Sequence, residues 1–347
     1  MVGNRKYEFN SFLIKSIMPT EQGISVVGDS KEQEDIVYHY TSPDAFLSII
    51  QNQAIRFTDI RYLNDKSEGI YFVKLLLEFR DKNKGKYPYF EEAINALLID
   101  NDAEKIKNLE VTHIKFSEIP YMPYKAERIF VFCTCTEADS LNMWNYYVNN
   151  GAYQGYNIGF KINEFLKTFD TPQQNQADSF AVYYGKVLYS SSNQTREIRY
   201  FVNGIEREIE KEAEKGSDAI GRAIKYAQLK IRSYIDSHGA FYKDSKFRSE
   251  EEFRIVIEIA NDRVPRKKED AQKYFGANNK KLLQGFCTKR GLVVPYLCVA
   301  IPKESISRVT VAPMVEYDVA YDSIHELFRS VNINNTQVHK SHIPIRF

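Results

Sequence analysis

The amino-acid sequence predicts an α+β fold. Short apolar runs rich in β-branched and aromatic residues alternate irregularly with amphipathic stretches that begin at helix-capping residues. No period of about 20 to 50 residues repeats, which argues against a solenoid or a propeller. No low-complexity linker divides the chain, so we expect a single domain over residues 1–347 with helical insertions at 88–111 and 195–237.

The first elements follow from apolar patterning and turn chemistry. A β-rich run at residues 36–40 predicts a strand, and Ser42, Pro43 and Asp44 then supply a cap, a proline at the first helical position and an acid in the first turn. The helix that follows should bury Phe46, Ile49 and Ile50. A strand at 54–58 leads into a tight loop, and Asp65 and Glu68 resemble a capping box before a helix that buries Ile70, Val73, Leu76 and Leu77.

The remainder of the chain alternates strands with helical insertions. Strands are predicted at 128–136, 155–161, 180–188, 254–259, 292–301 and 309–311, a short helix after Ser140, and a last helix at about 321–330. Residues 196–215 hold five basic and six acidic side chains interspersed at helical spacing, which is typical of a solvated helix face.

Composition excludes several classes of protein. The chain has 347 residues, 47 Lys and Arg against 46 Asp and Glu, and a net charge of +1, so a global positive field for nucleic acid is excluded and such binding must be local. Four cysteines are too few for a disulfide framework, and we expect buried thiols in a cytoplasmic protein. No apolar run approaches the roughly 20 residues that span a bilayer, so no membrane segment is expected. The aromatic share is high, at 14%.

Common catalytic motifs are absent: the sequence contains no Walker A, dinucleotide-fingerprint, HExxH or GxSxG pattern. Cys133 and Cys135, two apart on a strand, would need Cys287 and Cys298 beside them to make a zinc site. A metal role for His339 and His342 has no supporting spacing, and we predict no metal site.

His39 is a candidate functional residue because it lies near the end of the first predicted strand, directly before a capped helix. Side chains at the end of a strand tend to face a crevice. The alternative is a half-buried histidine that bonds to the backbone.

A second candidate group opens the strand at 254–259. With the two-residue period of a strand, Glu250, Glu252 and Arg254 share one face. Neighbouring carboxylates raise each other's pKa, which suits acid–base work, and an arginine can hold one of them ionised. The alternative is an exposed edge strand whose charges prevent aggregation.

Several motifs in order resemble the bacterial family catalogued as domain of unknown function 2971. The resemblance extends over residues 36–346 and rests on Tyr38-His39-Tyr40-Thr41, Phe57-Thr58-Asp59, the run from Tyr62 to Glu68, Ser140 to Trp144 with Tyr147 and Gly155, Phe247 to Arg254, Gly291 to Tyr296, and Ser341 to Arg346. The family name assigns no function.

A remoter similarity is to ADP-ribosyltransferase-fold toxins, which have a split β-sheet core. The order of a strand with a histidine, a capped helix, a second strand and a late strand that opens with Glu is similar in both. The resemblance implies that NAD is the substrate, that His39 anchors a ribose hydroxyl, and that Glu252, with Glu250 nearby, is catalytic. It also implies a toxin or antiphage defence component that modifies a nucleic acid or a protein.

The same resemblance implies further contacts to NAD. The ring that stacks on nicotinamide could be Tyr62, Trp144 or Tyr147, and the remaining candidates for NAD binding are Tyr40, Thr41, Arg61, Asn64 and Arg254. Thr41 would help to hold the adenosine side, and Arg61 could contact the pyrophosphate through charge-assisted bonds. Trp144 has a second interpretation, because Leu141, Trp144 and Val148 share a helix face that is typical of core packing.

The segment from Arg263 to Lys281 is the candidate contact with a nucleic-acid or protein acceptor. Residues 261–281 contain seven Lys or Arg and three Asp or Glu, with Tyr274 and Phe275 among them. A solvated surface loop is the alternative. Two other functions stay open: a non-catalytic nucleic-acid-binding or sensing module, in which His39 and Glu252 would not share a pocket, and a metal-dependent nuclease that uses Glu250, Glu252 and an Asp.

Overall fold

A computed structural model describes residues 14–20, 23–27, 36–64, 70–97, 127–148, 151–169, 180–275 and 282–345. Their strands join in one mixed sheet that is antiparallel except for a single parallel pair. In chain order the strands are β1 (Ile14–Thr20), β2 (Gly23–Val27), β3 (Ile36–Thr41), β4 (Ala54–Asp59), β5 (Glu127–Cys135), β6 (Tyr156–Lys161), β7 (Phe180–Lys186), β8 (Glu252–Ala260), β9 (Leu283–Lys289), β10 (Leu292–Ala300), β11 (Ile306–Val311) and β12 (Gln337–Lys340).

The described helices occupy the connections between these strands. They are α1 (Pro43–Asn52), α2 (Ile70–Lys82), α3 (Pro88–Leu97), α4 (Leu141–Tyr147), α5 (Ile162–Leu166), α6 (Ser191–Ala213), α7 (Ser217–His238), α8 (Lys268–Phe275) and α9 (Tyr317–Val331). None of them is long and apolar enough to cross a membrane. The mixture of a large sheet and helices confirms the α+β class.

The sheet splits at β5. One edge of β5 pairs with β8 along its whole length, from Glu127 opposite Ala260 to Cys135 opposite Glu252. The other edge has two neighbours in turn: β4 pairs at Phe130 and Val131, and β3 pairs only at Cys135. Beyond β3 the order continues through β6 and β11 to the parallel strand β12, and beyond β4 through β10 to β9. Strands β3 and β4 therefore diverge and leave an opening against the middle of β5.

Alternation along the strands builds a separate core on each face of the sheet. Phe130 and Phe132 of β5 pack in a cluster with the buried faces of α1, α5 and α9. Ile129 and Val131 point to the other face and pack with α2, α3, α6 and α7. Complete burial of one such side chain contributes about 1.5–3 kcal/mol of transfer free energy, so the two layers hold β5 from both sides.

A smaller cluster closes the end of β3. Tyr38 and Tyr40 pack there against Met143, Trp144 and Val148 of the α4 region. Gly155 allows this approach, since a Cβ at that position would lie 2.4 Å from the Thr41 carbonyl oxygen.

Asp139 ties the same region to the C-terminal segment. Its carboxylate accepts hydrogen bonds from Trp144 Nε1 at 2.7 Å, from the Ser341 hydroxyl at 2.7 Å and from the His342 amide at 2.8 Å. These three bonds fix α4 against residues 341–343.

Most predicted elements are confirmed. Helix α1 begins after Ser42 and buries Phe46, Ile49 and Ile50, and the strands at 36–40, 54–58, 128–136 and 292–301 are found within one or two residues. The insertion at 195–237 comprises helices α6 and α7. The second half of the insertion at 88–111 and the capping box of Asp65 and Glu68 lie outside the described residues.

One sequence interpretation is wrong and a second holds only in part. Strand β8 is not an exposed edge, because it lies between β5 and β7 and is almost wholly buried. The charged residues of 196–215 are not all solvated: Glu197 and Glu206 are buried, and the Glu206 carboxylate accepts a hydrogen bond from the Phe90 amide at 2.6 Å. Helix α3, packed across α6 and α7, covers this face, which the local pattern of charges does not reveal.

Candidate functional site

A cavity of about 170 Å³ lies at the split in the sheet. Its walls come from the end of β3, from β4, from residues 131–134 of β5, from α4 and from the start of β8. An enclosed space of about 150 Å³ is enough to hold a benzene ring, so this cavity can take one six-membered aromatic ring with polar substituents.

The structure brings six of the eleven predicted site residues to this cavity: His39, Tyr40, Asn64, Tyr147, Glu252 and Arg254. The other five, Thr41, Arg61, Tyr62, Trp144 and Glu250, are not among its lining residues. His39 and Glu252, which are more than 200 positions apart in the chain, therefore share one pocket.

Glu252 presents a buried carboxylate to the cavity. The side chain is 4% exposed, and its Oε2 contacts Arg254 Nη2 at 2.7 Å and Lys243 Nζ at 3.3 Å. Burial alone would raise the pKa of Glu252, but these two cations outweigh it and hold the pKa below its usual value. Oε1 accepts no hydrogen bond from the described residues, and Glu252 lines the cavity. The site therefore holds an ionised carboxylate with one oxygen that no described residue occupies.

Lys243 joins this carboxylate to Glu250. Lys243 is 4% exposed, and its Nζ lies 2.6 Å from Glu250 Oε2. Lys243 lines the cavity, whereas Glu250 does not. Burial raises the pKa of Glu250, and Lys243 opposes that rise only in part. Glu250 thus acts on the site through Lys243 and through its charge near Tyr147, and it does not line the cavity.

His39 reaches the opening between β3 and β5. Its Nδ1 lies 3.3 Å from the Cys133 carbonyl oxygen, and its ring lies 5.0 Å from that of Phe132. Burial lowers the pKa of His39 to about 4, so the imidazole is neutral at pH 7. Because a carbonyl can only accept, Nδ1 carries the proton and Nε2 is left as an acceptor. The backbone bond and the crevice position that we treated as alternatives are both present.

Tyr147 is the aromatic candidate that lines the cavity. It lies in the last turn of α4, and burial raises its pKa well above the usual value, with the neighbouring Glu250 and Glu252 charges adding to the rise. Its hydroxyl is therefore a proton donor at all ordinary pH values, and its ring is the one that could stack on a bound heterocycle.

Local contacts explain why the other candidates are not in the cavity. The Arg61 guanidinium is held by both carboxylate oxygens of Asp59, at 2.9 and 2.7 Å, and Arg128 binds the same carboxylate. Tyr62 lies beside Arg61, with the guanidinium 5.7 Å from its ring centre. The ion pairs of Asp59 with Arg61 and Arg128 fix the loop after β4.

Trp144 and Thr41 are parts of the core. Trp144 is fully buried, meets Tyr40 edge-on at a ring distance of 4.7 Å, and donates its indole N–H to Asp139. The core-packing interpretation of Trp144 is thus the one that the structure supports. Thr41 is 5% exposed at the end of β3.

Three charged cavity residues were missed by sequence reasoning: Lys243, Arg56 and Lys289. Arg56 lies between the buried residues Ile55 and Phe57, and this alternation is a signal that would have placed it on the open face of β4. Lys243 and Lys289 carry no such local signal, because chain segments far from β3 and β5 bring them to the site.

Metal chemistry has no cluster to support it in the described part of the chain. No group of three or more His, Cys, Asp and Glu side chains there could hold a metal ion, and the four cysteines are free thiols. Burial raises the pKa of Cys135 to about 12, which makes it an inert thiol. Glu250 and Glu252, the candidate nuclease ligands, are instead occupied by Lys243 and Arg254.

The basic segment from Arg263 to Lys281 is described only in part. Arg266, Lys267 and Lys268 are exposed. The Asp270 carboxylate, in the first turn of α8, accepts hydrogen bonds from the amides of Arg266 and Lys267. None of these side chains lines the cavity. Residues 276–281 lie outside the described part of the chain, and the role of the segment in binding an acceptor stays a prediction.

Part of the chain matches a known protein family. Residues 143–255 match the model of a family described as "Protein of unknown function (DUF2971)". This segment resembles DUF2971, as its motifs predict. The DUF2971 segment contains Tyr147, Lys243, Glu252 and Arg254, so the acidic side of the cavity belongs to the part that matches. A search of the curated proteins found no match, and a search of the solved structures found none.

Proposed function

We propose that this protein cleaves the bond between nicotinamide and ribose in NAD and transfers the ADP-ribose to a nucleic acid, a protein or water. The observation that carries the proposal is that an ionised Glu252 carboxylate, one oxygen of which no described residue binds, shares one cavity with a neutral His39. A non-catalytic binding module gives no reason for these two groups to meet in one pocket.

The residues present suit this reaction. When the N-glycosidic bond breaks, nicotinamide leaves with the bonding electron pair and positive charge develops on the ribose. A carboxylate placed beside the ribose stabilises that charge, and a buried one acts more strongly than one in water. We assign this role to Glu252 Oε1. The attacking hydroxyl, amine or water forms a bond to the same ribose carbon and gives up its proton, which the carboxylate can accept.

His39 and Tyr147 would bind and orient the substrate. Nε2 of His39 is an acceptor with a fixed tautomer, suited to one ribose hydroxyl. The Tyr147 ring offers a stacking surface for nicotinamide, whose size matches the cavity. The ADP-ribosyltransferase resemblance also implies a split β-sheet core and NAD as the substrate. On the same resemblance we infer a role as a toxin or an antiphage effector.

Nicotinamide release tests the proposal. The purified chain would be incubated with NAD alone and with cellular RNA, DNA or protein, and nicotinamide would be measured by chromatography. Glu252→Gln should lower turnover by about 10²- to 10⁴-fold. Glu251→Gln is the matched control, because Glu251 is the exposed neighbour and does not line the cavity. No release by the natural chain under any of these conditions, or equal release by a folded Glu252→Gln variant, overturns the proposal.

A further inference from the structure

The mouth of the cavity carries two exposed cations. Arg56 projects from β4 and Lys289 from the end of β9, and both line the cavity. Neither forms an ion pair with any residue that the structure describes. Their charge is therefore not neutralised by the part of the fold that surrounds them.

Arg56 is held in place by a stack. Its guanidinium lies 4.6 Å from the ring centre of Tyr296, a residue of β10. The Tyr296 ring in turn lies against Gly285 of β9, where a Cβ atom would come within 2.5 Å of the ring. Glycine at position 285 makes room for the ring, and the ring supports the guanidinium from one side. A guanidinium stacked in this way keeps its in-plane N–H groups available for an oxyanion.

The charge around the mouth selects the ligand class. The β9–β10 hairpin over residues 283–295 contains Lys289 and Arg290 and no acidic residue. Deeper in the cavity the two other cations, Lys243 and Arg254, are engaged by Glu252. The positive charge at the mouth therefore exceeds what the acidic group inside can balance, and phosphate oxygens match both this charge and the geometry of the guanidinium.

We propose that Arg56 and Lys289 bind the phosphate groups of a nucleotide ligand at the cavity mouth, with Tyr296 and Gly285 as positioning residues for Arg56. This inference deepens the proposed function, because a nucleotide whose reactive end enters the cavity must leave its phosphates at the mouth. The phosphates could belong to the diphosphate of free NAD or to the backbone of a single-stranded nucleic acid.

Two binding probes separate these sources without any turnover. The first probe is ADP-ribose, which carries the diphosphate but no nicotinamide bond, and its binding is measured by titration calorimetry. The second probe is a fluorescein-labelled single-stranded DNA or RNA 12-mer, and its binding is measured by fluorescence anisotropy. The test variant is Arg56→Gln with Lys289→Gln. Its matched control is Arg222→Gln with Lys225→Gln, which removes the same charge from an exposed face of α7 outside the cavity lining.

We expect the test variant to weaken at least one probe by tenfold or more and the control to leave both unchanged. Loss confined to ADP-ribose assigns the diphosphate, whereas loss confined to the 12-mer, with a salt slope smaller by about 1.4, assigns the polynucleotide backbone. Tyr296→Leu should lower the affinity for the same probe by about two- to fivefold. Tyr296→Phe should retain the affinity, since the ring supports Arg56 through its face. A natural chain that binds neither probe, a test variant that binds both normally, or a control that loses as much overturns the inference. Absence of nicotinamide release with normal probe binding overturns only the proposed reaction.

Discussion

The buried ion pair of Arg254 and Glu252 predicts a measurable coupling energy. Arg254→Met removes the bond of 2.7 Å to Glu252 and the bond of 2.6 Å from Nη1 to the Ala240 carbonyl oxygen. Glu252 then keeps Lys243 as its only cation, at 3.3 Å. Both members of the pair are less than 5% exposed, so solvent replaces little of the lost interaction. We expect a loss of about 3–5 kcal/mol in the free energy of unfolding.

The double variant gives the decisive comparison. The double variant Arg254→Met with Glu252→Gln no longer contains the uncompensated carboxylate. Its loss of unfolding free energy should therefore be smaller than the sum of the two single-variant losses by about 1–3 kcal/mol. Urea unfolding followed by circular dichroism at pH 7 measures all four chains. Because the folded-state pKa of Glu252 is lowered, its stabilisation is present above the unfolded pKa of about 4.3 and is lost as the pH falls further. Arg254→Met should flatten that acid loss. Costs that add within about 0.5 kcal/mol, with no change in the acid profile, refute the assignment of an ionised Glu252.

Two further predictions concern the other side of the cavity. Burial lowers the pKa of His39 to about 4, so the unfolded chain takes up a proton first as the pH falls from about 6.5, and stability declines over that window. His39→Gln should therefore flatten the dependence of the melting temperature on pH between 7 and 4.5. An unchanged profile would mean that the folded state does not lower the pKa of His39. Tyr147→Ala should raise the KM for NAD by about tenfold, whereas Tyr147→Phe should keep it near the natural value. Equal KM values for the two variants would show that the ring of Tyr147 does not contact NAD.

The parts of the fold that follow from local patterns were predictable from the sequence. Helix α1 is specified by Ser42, Pro43 and three apolar residues at helical spacing, and β3 by an uninterrupted β-rich run. The shared face of Glu252 and Arg254 also follows from the period of a strand. What the pattern did not give is that β8 is central, because pairing with β5 and β7 is a long-range property.

The candidate site was predictable only to the extent that single residues carry local signals. His39 and Glu252 stand out because each lies at one end of a strand. The choice among Tyr62, Trp144 and Tyr147 could not be made locally, since it depends on which side of α4 faces the split and on the bond from Trp144 to Asp139. Arg61 is excluded by Asp59, two residues away, whose carboxylate could equally have pointed elsewhere.

The bonds of Asp139 have a consequence for the order of folding. They join Asp139 to residues 202 and 203 positions later in the chain, and closing so long a loop is slow compared with the local pairing of helices and hairpins. Helix α4, which carries Tyr147, therefore gains its last anchors only after Ser341 and His342 have left the ribosome. A nascent chain that contains His39 and Glu252 but not yet Ser341 and His342 still lacks a finished wall, so binding competence follows the synthesis of residues 341–343 rather than that of the cavity-lining residues.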